Sequence, residues 1–93
     1  MVTAIVLISA SAEAIPQTAQ AIADLDGVQE VFSCAGDVDL IAIVKATDHE
    51  GIADIVPNHI SRVPGVERTV THIAFRSYST RDTDDAFSIG MSS

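Results

Sequence analysis

Asp37 and Asp39 follow Gly36 in the stretch CAGDVDLIAI, Cys34 to Ile43. Carboxylates two positions apart suit two kinds of chemistry. One is general acid–base work, in which one group is protonated and the other ionised. The other is capture of an ammonium group through charge-assisted hydrogen bonds. A second candidate stretch is RTVTH, Arg68 to His72. Its Thr69 and Thr71 fall on one side of an extended segment, which they share with Glu67, Ile73 and Phe75. A carboxylate with nearby hydroxyls and turn N–H groups suits a small zwitterion. Asp39 would take the ammonium and backbone N–H groups the carboxylate. The competing reading is that threonine simply favours strands and that Asp39 sits at an exposed hairpin base.

The other reactive residue types form no recognisable site. His49, His59, His72 and Cys34 have no metal-binding spacing such as HxxxH or CxxC. His49 is placed in a first helical turn, His59 on or beside an apolar stripe, and His72 in a strand. Cys34 has no His or basic neighbour in the local sequence to activate its thiol and reads as a small strand residue. No phosphate-cradling glycine loop or nucleophile elbow is present. Asp37 belongs to a turn and Asp39 to the strand beyond it. No catalytic residue, metal ligand or cofactor is assigned.

Composition narrows the partners. Acids outnumber Lys and Arg 13 to 5, a net charge of −8. Residues 77–93 carry three of the acids and one arginine, so the body keeps −6. Such a surface repels phosphate backbones, and no basic stripe exists, so direct binding of nucleic acid is not expected. One cysteine cannot form an internal disulfide, which fits a reducing cytoplasm. No signal-peptide pattern and no run of about 18 apolar residues is present, so neither export nor a membrane span is expected. Hydrophobic residues make up 47% of the chain, enough for one small core, built from Ile, Val, Leu and Ala because Trp is absent.

The elements that must position these residues follow from apolar periodicity. Val2 to Ile8 reads as a strand, apolar on both faces. Ser9 to Glu13 is a polar turn. A helix runs from about Ile15 to Leu25, with Pro16 in its first turn and Asp26-Gly27 ending it. Val28 to Ala35 and Val38 to Ala46 are strands joined by Gly36-Asp37, a two-residue type II′ hairpin loop in which glycine takes positive φ. Thr47-Asp48 caps a second helix, His49 to Arg62, which Pro57 should bend. Pro64-Gly65 ends it, and Val66 to Phe75 is the fourth strand. Residues 77–93 form a polar, acidic tail after a domain spanning residues 1–76. Ala86, Phe87 and Ile89 could dock on a neighbour.

The order is β-α-β-β-α-β, and it repeats. LDGVQEVFS and VPGVERTVT match at Gly-Val with an offset of 38 residues. Two βαβ-like halves describe an α+β, ferredoxin-like sandwich: a four-stranded antiparallel sheet with two helices on one face. The other face is bare in a single chain. Sheets with one wet face alternate apolar and polar residues. Here the first strand puts Val2, Ala4, Val6 and Ile8 on one side but Ile5 and Leu7 on the other. The third puts Leu40, Ala42 and Val44 against Ile41 and Ile43. A two-fold dimer with sheets face to face is the simplest closed solution. The alternative, a tail folded over the sheet, offers too few apolar residues.

DGVQEVFSCAGDVDLIAIVKA followed by ISRVPGVERTVTHIAF resembles the effector-binding domain of the Lrp/AsnC transcription regulators, the feast/famine proteins. The match runs from about Val2 to Phe75. It rests on Gly-Val-x-x-Val, the Gly-x-x-Asp-Leu hairpin and the Pro-Gly-Val-x-x-Thr-x-Thr entry to the last strand. The resemblance implies dimerisation through the sheets, further assembly to a tetramer of dimers, and amino acids bound between dimers. By that resemblance the ligand-binding residues are Gly36, Asp37, Asp39, Thr69 and Thr71. Family members often carry Thr before the hairpin glycine and an aromatic before the aspartate, where this chain has Ala35 and Val38. It also enters the first strand at once, without the family's helix-turn-helix.

These observations lead to one expectation: a non-enzymatic, cytoplasmic, stand-alone domain that binds an amino acid or related small metabolite. It would form homo-oligomers and modulate full-length regulators of the same family. Two alternatives remain open here. One is a dimeric ferredoxin-like enzyme of the small oxygenase or degradative type, which needs a cavity between sheet and helices with a His or Asp facing into it. The other is an assembly module without ligand.

Overall fold

The computed structural model describes residues 1–80. Most of the acidic tail, with Ala86, Phe87 and Ile89, lies outside the described residues. The strands are β1 (Val2–Ala10), β2 (Val28–Ser33), β3 (Leu40–Ala46) and β4 (Val66–Ala74). The helices are α1 (Ile15–Ala23) and α2 (His49–Asn58). The sheet order is β2-β3-β1-β4 and every pairing is antiparallel. This is the expected ferredoxin-like sandwich, with β1 and β3, the most apolar strands, at its centre.

Strand alternation sorts the two faces. Ala4, Val6 and Ile8 of β1 and Leu40, Ala42 and Val44 of β3 are fully buried. They pack with Ile22 of α1 and with Ile52 and Val56 of α2, which fall at helical spacing on one stripe. On the opposite face Ile5, Leu7, Ile41 and Ile43 are only half-buried, and Phe32 and Val70 are 47% and 39% exposed. The sheet therefore has one covered and one open apolar face, as the pattern of β1 and β3 predicts.

Both Gly-Val repeats perform the same task after a helix. Gly27 and Gly65 take positive φ, +92° and +100°, which only glycine adopts without strain. Each also lies against the opposite half of the molecule. A Cβ on Gly27 would meet Ile55 Cδ1 at 2.6 Å, and one on Gly65 would strike the Thr18 hydroxyl.

Several boundaries differ from the sequence expectation. β1 continues to Ala10, and a 3-10 turn at Ala12–Ala14 replaces the polar turn. α1 stops at Ala23, where Leu25 donates to the Ile22 carbonyl at 3.1 Å and tightens the last turn toward Gly27. α2 is capped as expected, with Asp48 accepting from the Gly51 amide at 2.9 Å. It does not run bent to Arg62, however. It ends at Asn58, one residue after Pro57, and a separate 3-10 turn spans Ile60–Arg62. Pro57 has no N–H to donate to Ala53, so the last turn is weakened and the chain leaves helical geometry at His59. In β4 the register shifts opposite Ser9 and Ala10, which pair with Arg68 and Val66. Glu67 is the extra residue and does not continue the row of Thr69, Thr71 and Ile73. Phe75 lies beyond the strand and is 91% exposed.

Candidate functional site

The β2–β3 connection is larger than the two-residue loop expected. Strand pairing ends at Ser33 and resumes at Leu40, leaving residues 34–39 between. Its closing rung is the Cys34 amide donating to the Asp39 carbonyl at 3.0 Å. Gly36 has the positive φ expected of it, +134°, although this is not the type II′ value. Its surroundings are open, with nothing within 4 Å of an added Cβ, so backbone conformation alone asks for glycine. Asp37 is exposed at the tip beside it. Cys34, expected in the strand, is an exposed hairpin residue whose thiol donates to the Val38 carbonyl at 3.4 Å.

Asp39 explains the enlarged loop. It precedes β3 instead of lying inside it. Its amide donates to the Ile8 carbonyl at 2.9 Å, and its Oδ2 accepts from the Ala10 amide at 2.8 Å. The carboxylate thus replaces a backbone carbonyl where β1 would otherwise run out of partner. Two polar groups of Asp39 thus fasten the hairpin to the end of β1, while its carbonyl closes the hairpin through the Cys34 amide. Aspartate is disfavoured in a strand interior, but here it serves as a clamp at the strand's edge. Oδ1 takes part in none of these bonds.

The two threonines lie two strands away. Leu40 and Thr69 both pair with Ile8, and Ala42 and Thr71 with Val6. Thr69 therefore lies at the hairpin end of the sheet, roughly 10 Å from the Asp39–Leu40 corner across β1. Thr71 is one row further in. Both share the helix-covered face with Val6 and Ile8. Thr69 Oγ1 is 3.5 Å from Ser61 Oγ, on the turn after α2. Thr71 lines a groove of about 400 Å³ between α2 and β4, with His49, Ile52, Val56 and Ile73 among the other walls. One end of the sheet thus brings together Asp39, the hairpin tip and Thr69, while Thr71 faces a different hollow. Sequence reasoning missed the Ala10 amide, a backbone group with no side-chain signature. It also missed Ser61, which only the packing of the 3-10 turn on β4 brings to Thr69.

The histidines are all exposed. His49 opens α2 and His72 lies on the open side of β4. His59, expected near the apolar stripe, instead ends α2 with its ring 3.3 Å from Asp54. Among the described residues no helix is long and apolar enough to cross a membrane.

Comparison with known proteins agrees with this architecture. The family model for the Lrp/AsnC ligand binding domain matches residues 3–84. An uncharacterised HTH-type transcriptional regulator of Pyrococcus abyssi is 39% identical over 59 residues, 63% of this chain and 39% of that protein's length. The chain thus spans about two-fifths of that curated relative. The crystal structure of TTHA0845 from Thermus thermophilus superposes with a TM-score of 0.79 at 43% identity, covering 85% of this chain and 99% of that one. A Neisseria meningitidis transcriptional regulator, NMB0573, solved as an L-Met complex, shares the fold alone. Its TM-score is 0.74 at 17% identity, over 85% of this chain and 54% of that one. With the family model matched over residues 3–84 of its 93, this chain belongs to the Lrp/AsnC ligand-binding domain family.

Proposed function

We propose that this chain is an effector-binding and oligomerisation domain that takes an amino acid or a closely related metabolite at the hairpin end of its sheet. In this account it is cytoplasmic and non-enzymatic, and it makes no direct contact with nucleic acid. The observation that carries the proposal is Asp39, held by the Ala10 and Ile8 backbone with one carboxylate oxygen left over, next to an exposed Gly36-Asp37 tip. A fixed carboxylate receives an ammonium group with little ordering cost. Gly36, Asp37 and Thr69 complete the proposed contacts at this end, while Thr71, which faces the α2–β4 groove, is not among them. The L-Met complex of the Neisseria regulator supports an amino acid as the ligand class.

The open sheet face supports assembly. Ile5, Leu7, Ile41, Ile43, Phe32 and Val70 leave a contiguous apolar surface on an otherwise acidic molecule. A second copy packed face to face would cover it, and contacts between such dimers, up to a tetramer of dimers, would enclose the hairpin site. Full-length regulators of the same family are the natural partners for mixed assembly, because their effector domains carry the same fold.

An isosteric substitution separates the two tasks of Asp39. Asparagine keeps an oxygen for the Ala10 amide but loses the charge. Asp39→Asn should therefore weaken amino-acid binding about ten- to hundredfold while leaving the fold intact. Unchanged affinity in calorimetry would move the site elsewhere. The observation that favours an enzyme instead is the α2–β4 groove, a hollow between sheet and helix with His49 at its edge and Thr71 inside. No carboxylate, cysteine or lysine lines that groove, so the histidine has no partner there to orient it for acid–base work.

A further inference from the structure

The two helices do not cover the four strands evenly. α1 packs against β2 and β3, and α2 against β3 and β1. β4, at the edge of the sheet, meets the helical layer chiefly through the 3-10 turn at Ile60–Arg62. The gap that remains is the α2–β4 groove of about 400 Å³. Ile52, Val56 and Ile73 give it an apolar floor, Ala53 and Thr71 its sides, and His49 its edge. No Asp, Glu, Lys or Arg lines it. The groove lies on the helix side of the sheet, so a second copy packed on the open face leaves it uncovered.

Beside the groove runs the free edge of β4. Among the described residues only β1 pairs with this strand. Edge strands are usually blunted by charge, proline or a bulge. β4 has its charges, Glu67 and Arg68, and its bulge at its start. Over residues 69–74 it carries no Asp, Glu, Lys, Arg or Pro. That stretch offers open N–H and C=O groups next to an apolar hollow.

The chain itself supplies a segment of the right kind. Residues 81–93 follow Thr80, and there Phe87, Ile89 and Met91 alternate with Ser88 and Gly90. A period of two puts the three apolar side chains on one side of an extended segment, the pattern of a strand with one buried side. Three such residues are too few for the open sheet face, but they suit a groove of this size. Reach permits the contact. Residues 75–77 lie on the open side of the sheet, so the chain must turn round the free edge of β4 to enter the groove. The six steps from Thr80 to Ala86 span up to about 20 Å, roughly twice the 10 Å between packed layers.

We propose that the α2–β4 groove is the docking site of the chain's own C-terminal segment, residues 87–91. The segment adds along the free edge of β4 and sets Phe87, Ile89 and Met91 beneath α2. In strand addition of this kind main-chain bonds give affinity and pockets for alternate side chains give register. The tether holds the segment at high local concentration, so a few contacts suffice. The hairpin and the open face take no part, and the inference stands apart from the effector reading.

A nitroxide at position 88, introduced as Ser88→Cys in the full chain with Cys34→Ser, tests this by amide NMR. Position 88 falls on the side of the segment away from its apolar row, so the label does not compete for the groove. The amides of Ala53, Thr71 and Ile73 should broaden well beyond those of residues 34–39. Adding Phe87→Ser and Ile89→Ser should remove that broadening. The same double substitution without the label should quicken hydrogen exchange about tenfold at the β4 amides that do not bond to β1. When labelled chain is mixed with unlabelled, isotope-enriched chain, the enriched groove amides should stay sharp, because each chain fills its own groove. Broadening confined to residues 75–80 or spread evenly over the surface would overturn the inference. So would broadening that survives the double substitution, unchanged exchange along β4, or enriched groove amides that broaden in the mixture.

Discussion

Single residues decide where this fold tolerates change, and two glycines with similar backbones make the point. Gly65 combines positive φ with a close approach to Thr18, whose hydroxyl is buried and donates to the Pro64 carbonyl at 3.1 Å. Gly65→Ala should cost about 3 kcal/mol, from backbone strain plus a displaced buried hydroxyl. Gly36 has positive φ but open space, so Gly36→Ala should cost only about 1 kcal/mol. Urea unfolding of the two variants checks the difference, and equal losses would contradict it. Asp39 divides similarly. Asp39→Ala removes the acceptor from the Ala10 amide and should lower stability by about 2 kcal/mol, whereas Asp39→Asn should not. At this scale the sequence was partly legible. The two Gly-Val turns stood out because their motif recurs, and Asp39 stood out because aspartate does not belong in a strand. Its partner was not legible, since a main-chain amide 29 positions away leaves no mark in residue types.

Elements were legible where apolar periodicity is strong and less so at their ends. β1, β3 and the stripe of Ile52 and Val56 on α2 follow directly from the pattern. The end of α2 did not, because Pro57 competes with a helical stripe that continues through Ile60 and Val63. Both of those residues are buried, but on a 3-10 turn and on the residue that caps it. Hydrophobic spacing survives a change of helix type, so periodicity alone cannot find the boundary. The last turn of α2 holds itself with side chains. The Asn58 amide donates to Asp54 at 2.7 Å, and this bond, with His59 nearby, keeps the Asp54 carboxyl below its ordinary value. Pro57→Ala restores one donor toward Ala53 at an exposed position and should raise stability by about 1 kcal/mol. Thermal unfolding checks it. A lower melting temperature would mean that the proline ring packs in the α2–β4 groove in a way alanine cannot replace.

At the scale of the whole molecule, the open sheet face and the hairpin belong to one account. Fully burying a Leu, Ile or Phe is worth about 1.5–3 kcal/mol, so the half-buried row on β1 and β3 drives association even if only part of it is covered. Leu7→Glu places a charge in the centre of that face without touching the helix-side core. It should yield a folded monomer where the wild type sediments as a dimer or larger. A wild type that is monomeric at micromolar concentration would remove the reason for two apolar faces. Sequence reasoning reached the fold and this face through the double apolar alternation of β1 and β3. The central claim, that the chain binds a small amino-acid effector, is tested most directly by a thermal-shift screen over the twenty amino acids with light scattering on the same samples. A ligand at a hundred times its Kd adds about 2.7 kcal/mol to the folded state. The account predicts that at least one amino acid raises the melting temperature by several degrees and changes the scattering mass, and that Asp39→Asn sharply reduces both effects at the same ligand concentration. Melting curves unmoved by every amino acid at ~10 mM, far above the Kd range of a specific effector, or a shift that Asp39→Asn leaves intact, would contradict it.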